Sequence, residues 1–94
     1  MKVFWTQLAI GDLDSAYEYI SDENPAAAVG LIERIKKSVA MLPRHPQLGR
    51  LGRVEGTREL VVSGTPFVIP YRAKRGRIEV LAVMHAARRW PDVL

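Results

Sequence analysis

The sequence predicts a single α+β domain spanning residues 1–94, in which an N-terminal strand and an antiparallel helical hairpin pack on an antiparallel β-sheet. Three observations lead there. Apolar residues recur at helical spacing through residues 13–42. Runs of strand formers separated by turn signals fill residues 58–84. A chain of 94 residues, 48% hydrophobic and 26% charged, is sized for one core and too short for two. Helices followed by a β-meander belong on one sheet face.

The elements follow in order. Lys2–Trp5 suits a short strand. Thr6 can cap the next helix, because its hydroxyl can accept from a free amide two or three residues on. Leu13, Ala16, Tyr17 and Ile20 then share one face, with Asp12, Asp14 and Glu18 between them. The two aspartates also suit the positive end of that helix, and Gly11 weakens its first turn. Asn24-Pro25 opens the second helix: Asn caps, and Pro fits the first position because its missing N–H has no partner to lose there. Ala28, Leu31, Ile32, Ile35, Val39 and Leu42 form its apolar stripe, and Pro43 ends it. The short link makes the pair an antiparallel hairpin.

Pro43 to Gly56 contains Pro46, Gly49 and Gly52 and reads as loop. Arg58–Val62, Phe67–Arg72 and Ile78–Met84 read as strands joined by turns at Ser63-Gly64-Thr65-Pro66 and Lys74-Arg75-Gly76. The last strand is apolar on both faces, which predicts a central position buried on both sides. Pro70 cannot donate to a ladder and calls for an edge or a bulge.

Composition excludes several classes. There is no cysteine, so there is no disulfide scaffold and no Cys-ligated metal, and two isolated histidines, His45 and His85, do not suggest a metal site. No apolar stretch approaches the roughly 20 residues of a membrane helix. Asp12 and Asp14 arrive before any signal-peptide core, so a cytoplasmic protein without membrane contact is expected. The net charge of +4 is unevenly spread. Residues 1–33 carry one cation against six anions, a balance of −5; residues 34–94 carry thirteen against four, a balance of +9. Such a basic surface attracts polyanions, either nucleic-acid phosphates or an acidic protein, and equally serves as a solvated surface.

Arg58, Arg72 and Arg88 accompany the strands, and with Glu59 and His85 they could converge on one side of the sheet. RNA cleavage by its own 2′-hydroxyl needs a base, an acid and cations around the phosphorane. Glu59 or Glu55, His85 and the arginines could fill those roles. The plainer reading makes Arg58 and Arg72 ion-paired or solubilising groups, His85 a partner for the tail, Trp90 a hydrophobic pin and Trp5 a core residue. His45 receives no role.

The order of the motifs resembles the RelE/ParE toxin superfamily. In the first half the resemblance rests on Leu8-Ala9, Asp12-Leu13, Tyr19-Ile20, Asn24-Pro25-Ala26-Ala27 and the Pro43–Gly49 loop. In the second half it rests on residues 52–61 (Gly-Arg-Val-Glu-Gly-Thr-Arg-Glu-Leu-Val), Val68-Ile69-Pro70-Tyr71-Arg72 and residues 78–91. The resemblance implies the toxin of a bacterial type II toxin–antitoxin pair, acting without cofactor or metal. A cognate acidic antitoxin would neutralise it in a hetero-oligomer. RelE-like members cut mRNA on the ribosome with basic residues and often a late tyrosine; ParE-like members poison DNA gyrase, and the name is tied to plasmid stabilization. This chain has no tyrosine after Tyr71, and Ala86-Ala87 follow His85 where gyrase poisons often carry a His-x-x-Met-Asp ending. The ending and the Gly-x-Arg-Glu-Leu strand favour the ParE-like branch. The resemblance thus implies Arg53, Arg58, Arg72, His85, Arg88, Arg89 and Trp90 as target- or antitoxin-binding residues. The alternatives are a ribosome-dependent mRNA endonuclease using Arg58, Arg72, His85 and Glu59, and a non-toxic nucleic-acid-binding module.

Overall fold

The computed structural model describes residues 1–87. Strand β1 (Lys2–Trp5) leads into helices α1 (Gln7–Ser21) and α2 (Pro25–Ala40). Strands β2 (Arg50–Leu51), β3 (Arg58–Val61), β4 (Phe67–Lys74), β5 (Arg77–Val80) and β6 (Met84–His85) follow. The helix starts are as the sequence implies. The Thr6 hydroxyl accepts from the Ala9 N–H and the Asn24 side chain accepts from the Ala27 N–H, with Pro25 in the first turn. Helix α2 ends at Ala40 with Met41 as its cap, two residues short of the expected Leu42. Leu42 itself is still fully buried.

The sheet runs β1-β5-β4-β3-β2, with β6 also on β4. It is mixed, not wholly antiparallel, because β1 pairs in parallel with β5, Val3 opposite Ile78 and Trp5 opposite Val80. The expected 43–56 loop gives up two residues to β2, which pairs with Arg58 and Glu59 of β3. Strand β4 takes the middle, and the final strand lies beside it as an interior one. Alternation then divides the side chains. Leu60, Ile69, Tyr71, Ile78 and Val80 face Ala9, Ala16, Leu31, Ile35, Val39 and Leu42 of the helical layer. Glu59, Val61, Arg72 and Glu79 point to the other face. The β4–β5 hairpin closes through Arg75 and Gly76, at φ 54° and 76°, the paired left-handed residues that match strand twist in a two-residue turn.

The strand expected over 78–84 is broken. Tyr71 faces Val80 and Val68 faces Met84, so three steps along β4 correspond to four along the final strand. The extra residue is a bulge at 81–83, and it explains Pro70. Pro70 lies inside the sheet, and its carbonyl accepts from the Leu81 N–H at 2.9 Å. Its own nitrogen therefore points at the bulge, where the ladder has no donor to lose.

Helix α1 satisfies the bulge. The Thr6 N–H donates to the Val80 carbonyl at 3.1 Å and its hydroxyl to the Leu81 carbonyl at 3.0 Å. Asp12 accepts from the Val83 N–H at 3.0 Å. Asp12 and Asp14 thus do not sit at the positive end of the helix; no acidic residue lies in its first turn. Asp12→Ala removes the carboxylate that accepts from the bulge and leaves the part-buried Val83 N–H without that partner. A loss of about 1–3 kcal/mol in urea unfolding is expected, while Asp12→Asn, which still presents an oxygen, stays near wild type.

Candidate functional site

Tyr71 lies fully buried on β4. Its hydroxyl donates to the Pro46 carbonyl at 2.7 Å and accepts from the Gly49 N–H at 2.9 Å. A Cβ at position 49 would stand 2.6 Å from the Tyr71 ring and 2.9 Å from the Glu59 carbonyl, so the loop passes there only as glycine. Arg58 pairs with Tyr71 in register, shares its face and donates to the Gly49 carbonyl at 2.8 Å. Glu59 points the other way, with its side chain 3% exposed. Its Oε1 accepts from Arg50 Nε and Nη2, and its Oε2 from the Arg53 N–H and Nε. Burial raises the carboxyl's pKa, but the Arg53 N–H and the two guanidinium groups together outweigh it and hold the pKa below the ordinary value.

Arg72 Nε donates to Glu79 at 2.6 Å, and Arg77 bonds the same carboxylate while lying 5.1 Å from the Phe4 ring centre. The Arg72 hydrogen bond, assisted by Arg77, lowers the Glu79 pKa. His85 rests edge-on against Phe67 at 5.6 Å, and its Nδ1 accepts from the Ala87 N–H at 3.1 Å.

The structure does not bring Arg58, Glu59, Arg72 and His85 together. Arg58 and Arg72 do line one shallow cleft of about 360 Å³ with Pro46, Gln47, Leu51 and Ala73. His85, however, pairs opposite Phe67, five residues along β4 from Arg72, or about 17 Å at the rise of a strand. It also faces the helical layer, whereas Arg72 and Glu59 face away. The reason is the two-residue period of the sheet, which sends neighbouring residues to opposite faces. Glu55 is exposed. Arg88, Arg89 and Trp90 lie outside the described residues. Among the described residues, no three His, Cys, Asp or Glu side chains form a metal-binding group.

Residue-by-residue reading of the sequence missed a groove of about 560 Å³ between the second half of α2 and the edge of β3. Arg34, Lys37, Met41, Leu48, Arg50 and Val61 are among its lining. Its signal was present in the chain. Arg34, Lys37 and Met41 recur at positions i, i+3 and i+7, a second face on the flank of the core stripe.

The Glu59 cluster sets a pH dependence. A carboxyl with a lowered native pKa contributes stability that is whole above the ordinary value of 4.5 and is lost as pH falls from there through its native pKa. Glu79 acts with the same sign. Glu59→Gln should therefore cost about 1–3 kcal/mol at pH 7 and flatten the decline in stability below about pH 4.5, as measured by urea unfolding across pH.

Comparison with known proteins bears on what such an arrangement is for. Residues 3–90 match the family model described as ParE toxin of type II toxin-antitoxin system, parDE. The chain is 43% identical over 93 residues to toxin Y4kP of Sinorhizobium fredii, covering 99% of this chain and 96% of that protein. It is 37% identical over 87 residues to toxin RelE2 of Caulobacter vibrioides, covering 93% and 97%. Among solved structures it resembles the chromosomal ParDE toxin–antitoxin system of P. aeruginosa, with a TM-score of 0.84 and 30% identity over 90% of this chain and 95% of that one.

Proposed function

The chain belongs to the ParE toxin family of type II toxin–antitoxin systems, and from that premise we propose that it arrests growth by binding DNA gyrase in the cytoplasm. We infer further that a cognate acidic antitoxin neutralises it by covering its basic half. The observation that supports a binding role over chemistry is that Arg58, Glu59 and Arg72 are each committed to a partner and His85 stands apart from them. Arg58 holds the Gly49 carbonyl, Glu59 holds Arg50 and Arg53, Arg72 holds Glu79, and His85 is about 17 Å along the sheet from Arg72. An acid and a base for phosphodiester cleavage must reach one scissile group within hydrogen-bond distance.

Contact with gyrase is assigned to the stretch that β6 leads into, Arg88, Arg89 and Trp90, a basic segment with one large aromatic. Arginine and tryptophan are the residue types that most often dominate binding energy. The chain leading there is fastened by the Ala86 N–H, which donates to the Pro66 carbonyl at 2.8 Å, and by the His85–Ala87 bond. The competing reading, mRNA cleavage on the ribosome, draws on the cleft that Arg58 and Arg72 share.

Expression without antitoxin separates the two. Gyrase binding predicts induction of the DNA-damage response with intact mRNA, and loss of supercoiling activity when purified toxin meets purified gyrase. Removal of Arg88–Leu94 should leave the fold intact and abolish both effects. Ribosome-bound message cut by wild type and spared by Arg72→Ala would instead establish the nuclease.

A further inference from the structure

The face of the sheet turned away from the helices carries its charge in rows. Val3 and Trp5 pack on the core, so Lys2 and Phe4 take the opposite side of β1. Register then sets Lys2 of β1 opposite Arg77 of β5, and Arg77 opposite Lys74 of β4. Three exposed cations therefore lie straight across three neighbouring strands, about 5 Å apart at the backbone. The next row, two residues along, is Phe4, Glu79 and Arg72. Its carboxylate is shared by Arg72 and Arg77, and neither Lys2 nor Lys74 forms an ion pair among the described residues. Like charges directly opposite one another weaken a sheet. Glu79 answers Arg77 and leaves the two lysines on either side of it unanswered.

We propose that this row grips the phosphate backbone of duplex DNA, so that the toxin touches the DNA on which gyrase acts as well as the enzyme. The setting rests on the gyrase reading above. Charge selects the class of partner: aligned lysine and arginine side chains neutralise successive phosphates and release their counterions. Arg75, exposed in the turn between β4 and β5, adds a fourth cation beside the row. Shape narrows the choice. Neither of the two clefts is lined by Lys2, Lys74 or Arg77, so an acidic peptide would find charge here without a seat for its side chains. A phosphate backbone asks for charge alone. Phe4, about half exposed, is the one aromatic in the two rows, and Arg77 already lies over its ring at 5.1 Å. No bare ring is offered to an unstacked base, which favours a paired duplex over a single strand.

The test uses the whole toxin, a labelled duplex of mixed sequence and purified gyrase. The toxin should bind the duplex without sequence preference, and log K should fall with log salt at a slope of about 2 to 4, near 0.9 per phosphate neutralised. Lys2→Ala combined with Lys74→Ala should weaken binding about tenfold or more and lower that slope by about 2. The same variant should unfold at the urea concentration of wild type or a higher one, because it relieves the row of like charges. Lys36→Ala combined with Arg44→Ala, an equal loss of exposed charge on and just past α2, should leave affinity and slope near wild type. Wild-type toxin should bind gyrase more tightly when DNA is present, and the row variant should lose that gain. A toxin that ignores the duplex at low salt, or a row variant that binds it as wild type does, overturns the site. A single strand bound as tightly as the duplex overturns the duplex assignment. A row variant weakened only toward the antitoxin gives the face to an acidic polypeptide instead. Duplex binding through the row with no effect on gyrase overturns the gyrase reading and leaves the DNA-binding face standing.

Discussion

A phenol with no path to solvent governs this molecule. Tyr71 is completely buried in the middle strand, and its hydroxyl must find partners or forfeit about 1–3 kcal/mol. It finds both in the 46–49 loop, with Pro46 accepting and Gly49 donating. From that pair much else follows. Position 49 has to be glycine, Arg58 is turned to the same loop, and Glu59 gathers Arg50 and Arg53 on the opposite face. The residues with the greatest chemical potential are thus occupied in keeping a proline- and glycine-rich segment in place.

The legibility of the fold follows the range of the interactions. The helix starts could be read because Thr6 and Asn24 act on amides three residues away. The meander could be read because each turn is local. The parallel pairing of β1 with β5 could not, since Lys2 and Arg77 are brought together only by the finished fold. The bulge was half visible: Pro70 demanded one, but nothing in the sequence placed it at 81–83 or assigned Asp12 to it. Strand β2 was hidden in a glycine-rich stretch that carries no periodicity.

The site was legible as residue types and not as geometry. Arginine, glutamate and histidine near strand ends are what an active site needs and also what a clamp needs. Only the finished fold separates the two, by tying Arg58 to the Gly49 carbonyl and Arg72 to Glu79 and placing His85 far down β4 from Arg72. The division of charge along the chain is a coarser signal, and it is visible in the fold where Arg34, Lys37 and Arg50 line one groove. The groove beside α2 gives part of that charge a definite shape.

The joining of β1 to β5 bears on how the protein comes into being. Thr6, just past the first strand, hydrogen-bonds Leu81 across 75 residues of sequence. The strand that precedes α1 therefore waits for residues 77–81 before it is in its final place. Such distant pairing carries a large loop-closure cost and slows folding. The β4–β5 hairpin, whose contacts are local, is expected to form before the N-terminal strand docks on it.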